Sequence, residues 1–123
     1  MKTYNRLDIL VSLMNTFSGI SEKVYLTDRP ASTSQLDSYL VIKVGEIEPL
    51  HAYGETYATI KIFQKDGKDG ETTYLLSNME QAIYDLLPID NDLFKTGNPK
   101  SLESRYDGVN FHYIPIYFNL ILK

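Results

Sequence analysis

The chain has two histidines and no cysteine, so a general base or a soft metal ligand would have to be His51 or His112. A catalytic triad needs a nucleophile held against a histidine that a third group orients. His112 opens an apolar run, where a packed or hydrogen-bonded role suits it better than general-base work. His51 lies among Glu46, Glu48 and Glu55, and a mixed imidazole and carboxylate set is a possible cation ligand. No pair there has the helical spacing of zinc motifs, so the stretch reads as a solvated acidic turn. Asp85, Asp90 and Asp92 gather where a helix should end, and nothing pairs them as acid and base. The loop Asp66-Gly-Lys-Asp-Gly70 lacks the Lys-Ser/Thr or the third glycine of a phosphate cradle. The expectation is a non-enzymatic protein with no catalytic, metal or cofactor-binding residues and no cofactor.

The remaining residues must then be read for packing and contact. At 123 residues the chain is one domain, 1–123, long enough to bury about two thirds of the surface of its unfolded form. Without cysteine it has no disulfide framework, which agrees with a reducing, cytoplasmic setting. The formal charge is −4, and Lys and Arg are spread along the chain, so the basic stripe of a phosphate-backbone binder is missing and sequence-specific nucleic-acid binding is not expected. The opening Met1-Lys-Thr-Tyr-Asn-Arg-Leu-Asp8 interrupts any signal-like apolar core, and no apolar run has the length of a membrane span, so no membrane partner is expected. Ten tyrosines and five phenylalanines without tryptophan suit either a small sheet or a contact surface.

The stretch from Tyr57 to Leu87 is the central strand, loop and helix unit. Tyr57-Ala-Thr-Ile-Lys-Ile-Phe63 alternates, with Ala58, Ile60 and Ile62 inward and Tyr57, Thr59, Lys61 and Phe63 outward. Asp66 to Gly70 is a flexible turn. The helix that follows starts at a Ser77-Asn-Met-Glu80 capping box or at Thr72 or Thr73, buries Leu76, Met79, Ile83 and Leu86 or Leu87, and stops at Pro88. An earlier helix from about Tyr4 to Ser18 carries Leu7, Leu10, Met14 and Phe17 on one stripe, widened by Val11 and Leu13, with Gly19 as a left-handed cap. Val24-Tyr-Leu-Thr27 is a short strand, and Ala31 to Gln35 a loop. In Tyr39-Leu-Val-Ile-Lys-Val44, residues Leu40, Ile42 and Val44 share one face and Tyr39, Val41 and Lys43 the other. Gly45 to Gly54 is a long hairpin connection. Ile89 to Asp107 is mostly connection, with a strand near Leu102 to Tyr106, and Asp107-Gly108 turns a hairpin. The closing run, Val109 to Leu122, puts His112, Ile114, Ile116, Phe118, Leu120 and Leu122 on one face and Phe111, Tyr113, Pro115, Tyr117 and Ile121 on the other. Pro115 cannot donate to a ladder and marks an edge or a bulge.

Together these give an α+β fold in the order α-β-β-β-α-β, a mainly antiparallel sheet of about four strands with two helices packed on it. Both faces of the sheet are apolar, and two helices have trouble covering both. The surplus points to contact with another copy of the chain. The candidate oligomer interface is Tyr39, Val41, Tyr57, Phe63, Phe111, Tyr113 and Tyr117. The acidic turn of Glu46, Glu48, His51 and Glu55 is the candidate lumen or partner loop.

The order of elements resembles the tail-terminator or tail-completion (head-tail joining, minor tail) proteins of long-tailed bacteriophages. Leu7 to Phe17 looks like their N-terminal helix, Tyr39–Val44 and Tyr57–Ile62 like their paired strands, Met79-Glu-Gln-Ala-Ile-Tyr-Asp-Leu-Leu87 like the helix that follows, and Asn110-Phe-His-Tyr-Ile-Pro-Ile-Tyr-Phe118 like the closing strand. The resemblance implies a structural protein of a phage or prophage. Its subunits would close into a homo-oligomeric ring, commonly a hexamer, that caps the tail tube and meets the head-tail connector. It would be found in the bacterial host cytoplasm during assembly and then in the virion tail. In such a ring the exposed sheet face and the N-terminal helix would meet heterologously, and the Glu46, Glu48 and Glu55 loop would lie toward the tube lumen or the tail, where negative charge lets DNA pass without adhering. Two readings from other classes stand beside it: a non-enzymatic adaptor or ligand-binding domain of a bacterial mobile element that uses the aromatic sheet face, and an enzyme with a site around His51.

Overall fold

Period-two alternation in three strands decides the architecture. A computed structural model describes residues 3–28, 36–50, 52–68 and 70–123. The elements run α1 (Arg6–Phe17), β1 (Lys23–Leu26), β2 (Ser38–Val44), β3 (Glu48–Pro49), β4 (Gly54–Lys65), α2 (Glu71–Asp85), β5 (Phe94–Thr96), β6 (Lys100–Ser101), β7 (Arg105–Tyr106) and β8 (Phe111–Leu122). The fold is α+β with two helices on a mixed, mostly antiparallel sheet. The sheet has eight strands on the path β1-β2-β4-β8-β5, with β3 on β4 and with β6 and β7 on β8. Among the described residues only β1 and β2 run parallel.

The expected count of about four strands is corrected by β3, β5, β6 and β7, each of two or three residues, too short to show a period in sequence. Three of them break up the far side of β8, which pairs along its other side with the whole of β4. The Leu102 amide donates to the Pro115 carbonyl at 2.9 Å. A strand residue points its amide and carbonyl to the same neighbour, so the donor that Pro115 lacks would face the interrupted side, between β6 and β7.

Both helices pack on one face. Leu40, Ile42, Ala58, Ile60, Ile62, Ile116, Phe118, Leu120 and Leu122 form one core with Ile9, Leu10, Leu13 and Phe17 of α1 and Leu76, Met79 and Ile83 of α2. Each fully buried large apolar side chain here stabilises the fold by about 1.5–3 kcal/mol. The inward faces of β2, β4 and β8 are those the alternation gave. The rotation of α1 is not: Ile9 is buried, whereas Leu7 is 60% exposed. Seven of its twelve residues are apolar and spread over a wide arc, so two neighbouring stripes compete in sequence and the packing decides between them.

Asn5 caps α1, its side-chain oxygen accepting the Asp8 amide at 3.2 Å. Gly19 follows it at φ +93°, the left-handed residue that ends many helices. The second helix starts earlier than either expected cap, at Glu71, because Gly70 at φ +80° supplies the entry bend. Thr72 instead accepts the Gly67 amide at 2.7 Å through its hydroxyl. The helix closes with the Leu86 and Leu87 amides donating to Ile83 and Tyr84 carbonyls, ahead of Pro88, and leaves Leu86 exposed. The Ala31 to Gln35 loop lies outside the described residues.

Candidate assembly surface

The face of the sheet opposite the helices carries the contact candidates, and register places them in rows. One row runs Lys23, Tyr39, Phe63, Tyr113, Arg105 across β1, β2, β4, β8 and β7. Its rings pack sideways on one another: Tyr39 stacks on Phe63 at 4.4 Å and 8°, and Phe63 on Tyr113 at 4.9 Å. Tyr25 and Phe111 meet Tyr39 edge-on at 5.9 and 5.3 Å. Tyr39, Val41, Phe63 and Phe111 are thereby buried in a second cluster within the single chain. Of the seven interface candidates, Tyr57 and Tyr117 are exposed, at 50% and 36%, and Tyr113 is half-buried.

Charge is segregated on this face. Alternation such as Ile60-Lys61-Ile62 sends the isoleucines to the helices and the lysine outward. Lys23, Lys43, Lys61, Lys95, Lys100 and Arg105 all take outward register positions and are exposed. That is half of the twelve Lys and Arg, against Glu48 and Glu55 as the acids in the same register, so a chain of net negative charge presents a basic sheet. The Lys61 ammonium sits 5.5 Å over the Tyr113 ring centre, a cation–π contact. None of Lys43, Lys61, Lys100 and Arg105 forms an ion pair with a carboxylate among the described residues.

Two grooves flank Tyr57. One, of about 450 Å³, is lined by Asp28, Lys43, Thr59, Lys61 and Phe63 as well as Tyr57. The other, of about 790 Å³, is lined by Glu46, Ile47, Glu48, Pro49, Glu55 and Ile121. Gly45 lets the tyrosine ring lie flat between them: a Cβ on Gly45 would come within 2.3 Å of the ring. In the acidic groove Glu48 and Glu55 are direct cross-strand partners, an arrangement that like charges oppose. No cation among the described residues pairs with Glu46, Glu48 or Glu55. The nearby Arg6 guanidinium donates to the Val44 and Gly45 carbonyls at 2.6 and 2.5 Å instead.

Of the residues first suspected of chemistry, Glu46, Glu48 and Glu55 share the acidic groove, while His112, Asp85 and Asp90 have separate partners. His51 lies outside the described residues. Nδ1 of His112 meets the Asp66 carboxylate at 2.5 Å, and its ring lies 5.1 Å from that of Tyr106, which pins the β7–β8 hairpin to the end of β4. Asp85 accepts from Gln81 at 2.7 Å within α2. Asp90 pairs with Lys123, whose hydrogen bond and charge hold the carboxyl below its ordinary range. Among the described residues no group of three or more His, Asp or Glu is placed to hold a metal ion, and no helix is long and apolar enough to cross a membrane. On α1, exposed Leu7 with Val11, Asp8 and Leu93 lines a third, shallow groove.

No family model matches the chain, and no curated protein matches it. Among solved structures, a chain of the virion of the native gene transfer agent (GTA) particle shares the fold, with a TM-score of 0.52 at 11% identity over 89% of this chain and 83% of that one.

Proposed function

We propose that this protein is a structural, non-enzymatic component of a phage-like particle, a tail-completion subunit that self-assembles into a ring at the head-proximal end of the tail tube. The observation that carries the reading is the likeness, across most of both chains, to a chain of the gene transfer agent virion. Tail completion rather than another virion role rests on the order of elements in the sequence. The outward tyrosines Tyr57, Tyr113 and Tyr117 support self-association, since tyrosine brings large area with little conformational freedom to lose and is enriched at interfaces. A closed ring of one chain needs two different surfaces that fit each other. The basic half of the sheet face and the acidic groove beyond Tyr57 are two surfaces of opposite charge on one subunit, which supports such a fit.

The test is to add the purified protein to tail tubes from the particle whose gene cluster encodes it and to image them by electron microscopy. Density confined to one tube end is the expected result. Protein that coats the tube sides, or that stays in solution while the tubes remain open, would remove the tail-completion role.

A further inference from the structure

The two halves of the outward sheet face are each incomplete within one chain. On one side of Tyr57 stand Lys43 and Lys61, and beyond them Lys100 and Arg105, none of them in an ion pair among the described residues although Asp28 lines the same groove. On the other side stand Glu46, Glu48 and Glu55 around the apolar Ile47, Pro49 and Ile121, with Glu48 directly opposite Glu55. Opposed like charges at an exposed sheet end lower stability unless a cation sits between them. Lys95, opposite Ile121 in the same row, forms no ion pair with these glutamates among the described residues, and Lys43 and Lys61 line the other groove, with Tyr57 lining both.

We infer that the outward sheet face is a charge-matched docking surface for a second copy of this chain, the Glu46, Glu48 and Glu55 groove of one subunit receiving Lys43 and Lys61 of the next across Tyr57 and Tyr117. This rests on the self-assembly reading above and names the surfaces that would carry it. It also turns the acidic groove toward a neighbouring subunit and away from a lumen. A nucleic acid is the less fitting occupant. A polyanion lying along the lysines would run into Glu48 and Glu55 on the same face, and the chain's net charge of −4 would repel it. A second copy brings both signs, and in the order the face requires.

Charge reversal tests this on the full chain, with light scattering for mass and circular dichroism to confirm folding. In Lys43→Glu with Lys61→Glu, both grooves are acidic; in Glu48→Lys with Glu55→Lys, both are basic. Each variant alone should self-associate on the order of a hundredfold more weakly than the wild type, because like charges across an interface are strongly unfavourable. Mixed one to one, the two should regain the wild-type mass, since each then offers what the other lacks. The inference is overturned if either variant keeps the wild-type mass, or if the mixture fails to recover it. A wild type that is monomeric at every concentration removes the self-assembly reading itself, which separates the two failures. Unchanged mass with loss of salt-sensitive binding to a single-stranded oligonucleotide in the lysine variant would make the face a polyanion site instead.

Discussion

Replacing Phe63 by alanine asks who covers the outward face. Phe63 is 4% exposed and lies between the rings of Tyr39 and Tyr113. Burying a phenylalanine removes about 150–250 Å² from water, which at about 25 cal/mol per Å² is roughly 4–6 kcal/mol as an upper bound. The alanine methyl keeps part of that, while two lost ring contacts add about 0.5–1.5 kcal/mol each. The net expectation is about 4 kcal/mol, in the usual range for truncating a core phenylalanine. For a domain of this size that lowers Tm by roughly 15 °C. The assay is urea unfolding at a dilution where the wild type is monomeric, with Tyr57→Ala as control. Half exposed, Tyr57 should cost about 1 kcal/mol or less. A Phe63→Ala loss below about 1 kcal/mol in the monomer would refute the reasoning, because the aromatic cluster would then be shielded by a neighbour and not by its own chain.

Other expectations follow from local geometry. Asn5→Ala should cost about 1 kcal/mol of unfolding free energy through loss of the α1 cap, whereas Asn15→Ala, on the same helix with no side-chain cap role, should be nearly neutral. Gly70→Ala should destabilise by about 1 kcal/mol or more, since φ +80° at the start of α2 is strained for alanine. Lys123→Met should raise the Asp90 carboxyl toward its ordinary range, read by carbon-detected NMR titration. Because the pair depresses the folded value, any stability it adds is present above the unfolded pKa and is lost as pH falls through the folded one. A titration of Asp90 that is unchanged in the variant would rule out the pair.

Strand faces were legible because a period of two leaves little room for error: Ile60, Ile62, Ile116 and Phe118 went inward as their spacing dictates. The helix rotation was not, since Leu7, Ile9, Leu10, Val11, Leu13 and Met14 spread over an apolar arc wider than the buried stripe. The start of α2 was hidden by a glycine that bends the chain without any capping side chain. At the surface, the seven interface candidates shared a face as read, yet four of them, Tyr39, Val41, Phe63 and Phe111, turn out to be buried in a cluster across neighbouring rows, which the sequence could not show. The basic sheet was missed for a related reason. Lysines 18 and 39 residues apart look scattered along a chain, and only the register of β2, β4, β8 and β6 brings Lys43, Lys61 and Lys100 together.

Self-recognition is the premise on which the assembly role and the charge-matched face both stand, and sedimentation velocity of the wild-type chain over a wide concentration range probes it most directly. A discrete closed species several times the 14.1 kDa of one chain, weakening as salt is raised, is the expected result. A single 14.1 kDa species at all concentrations and at low salt would contradict it.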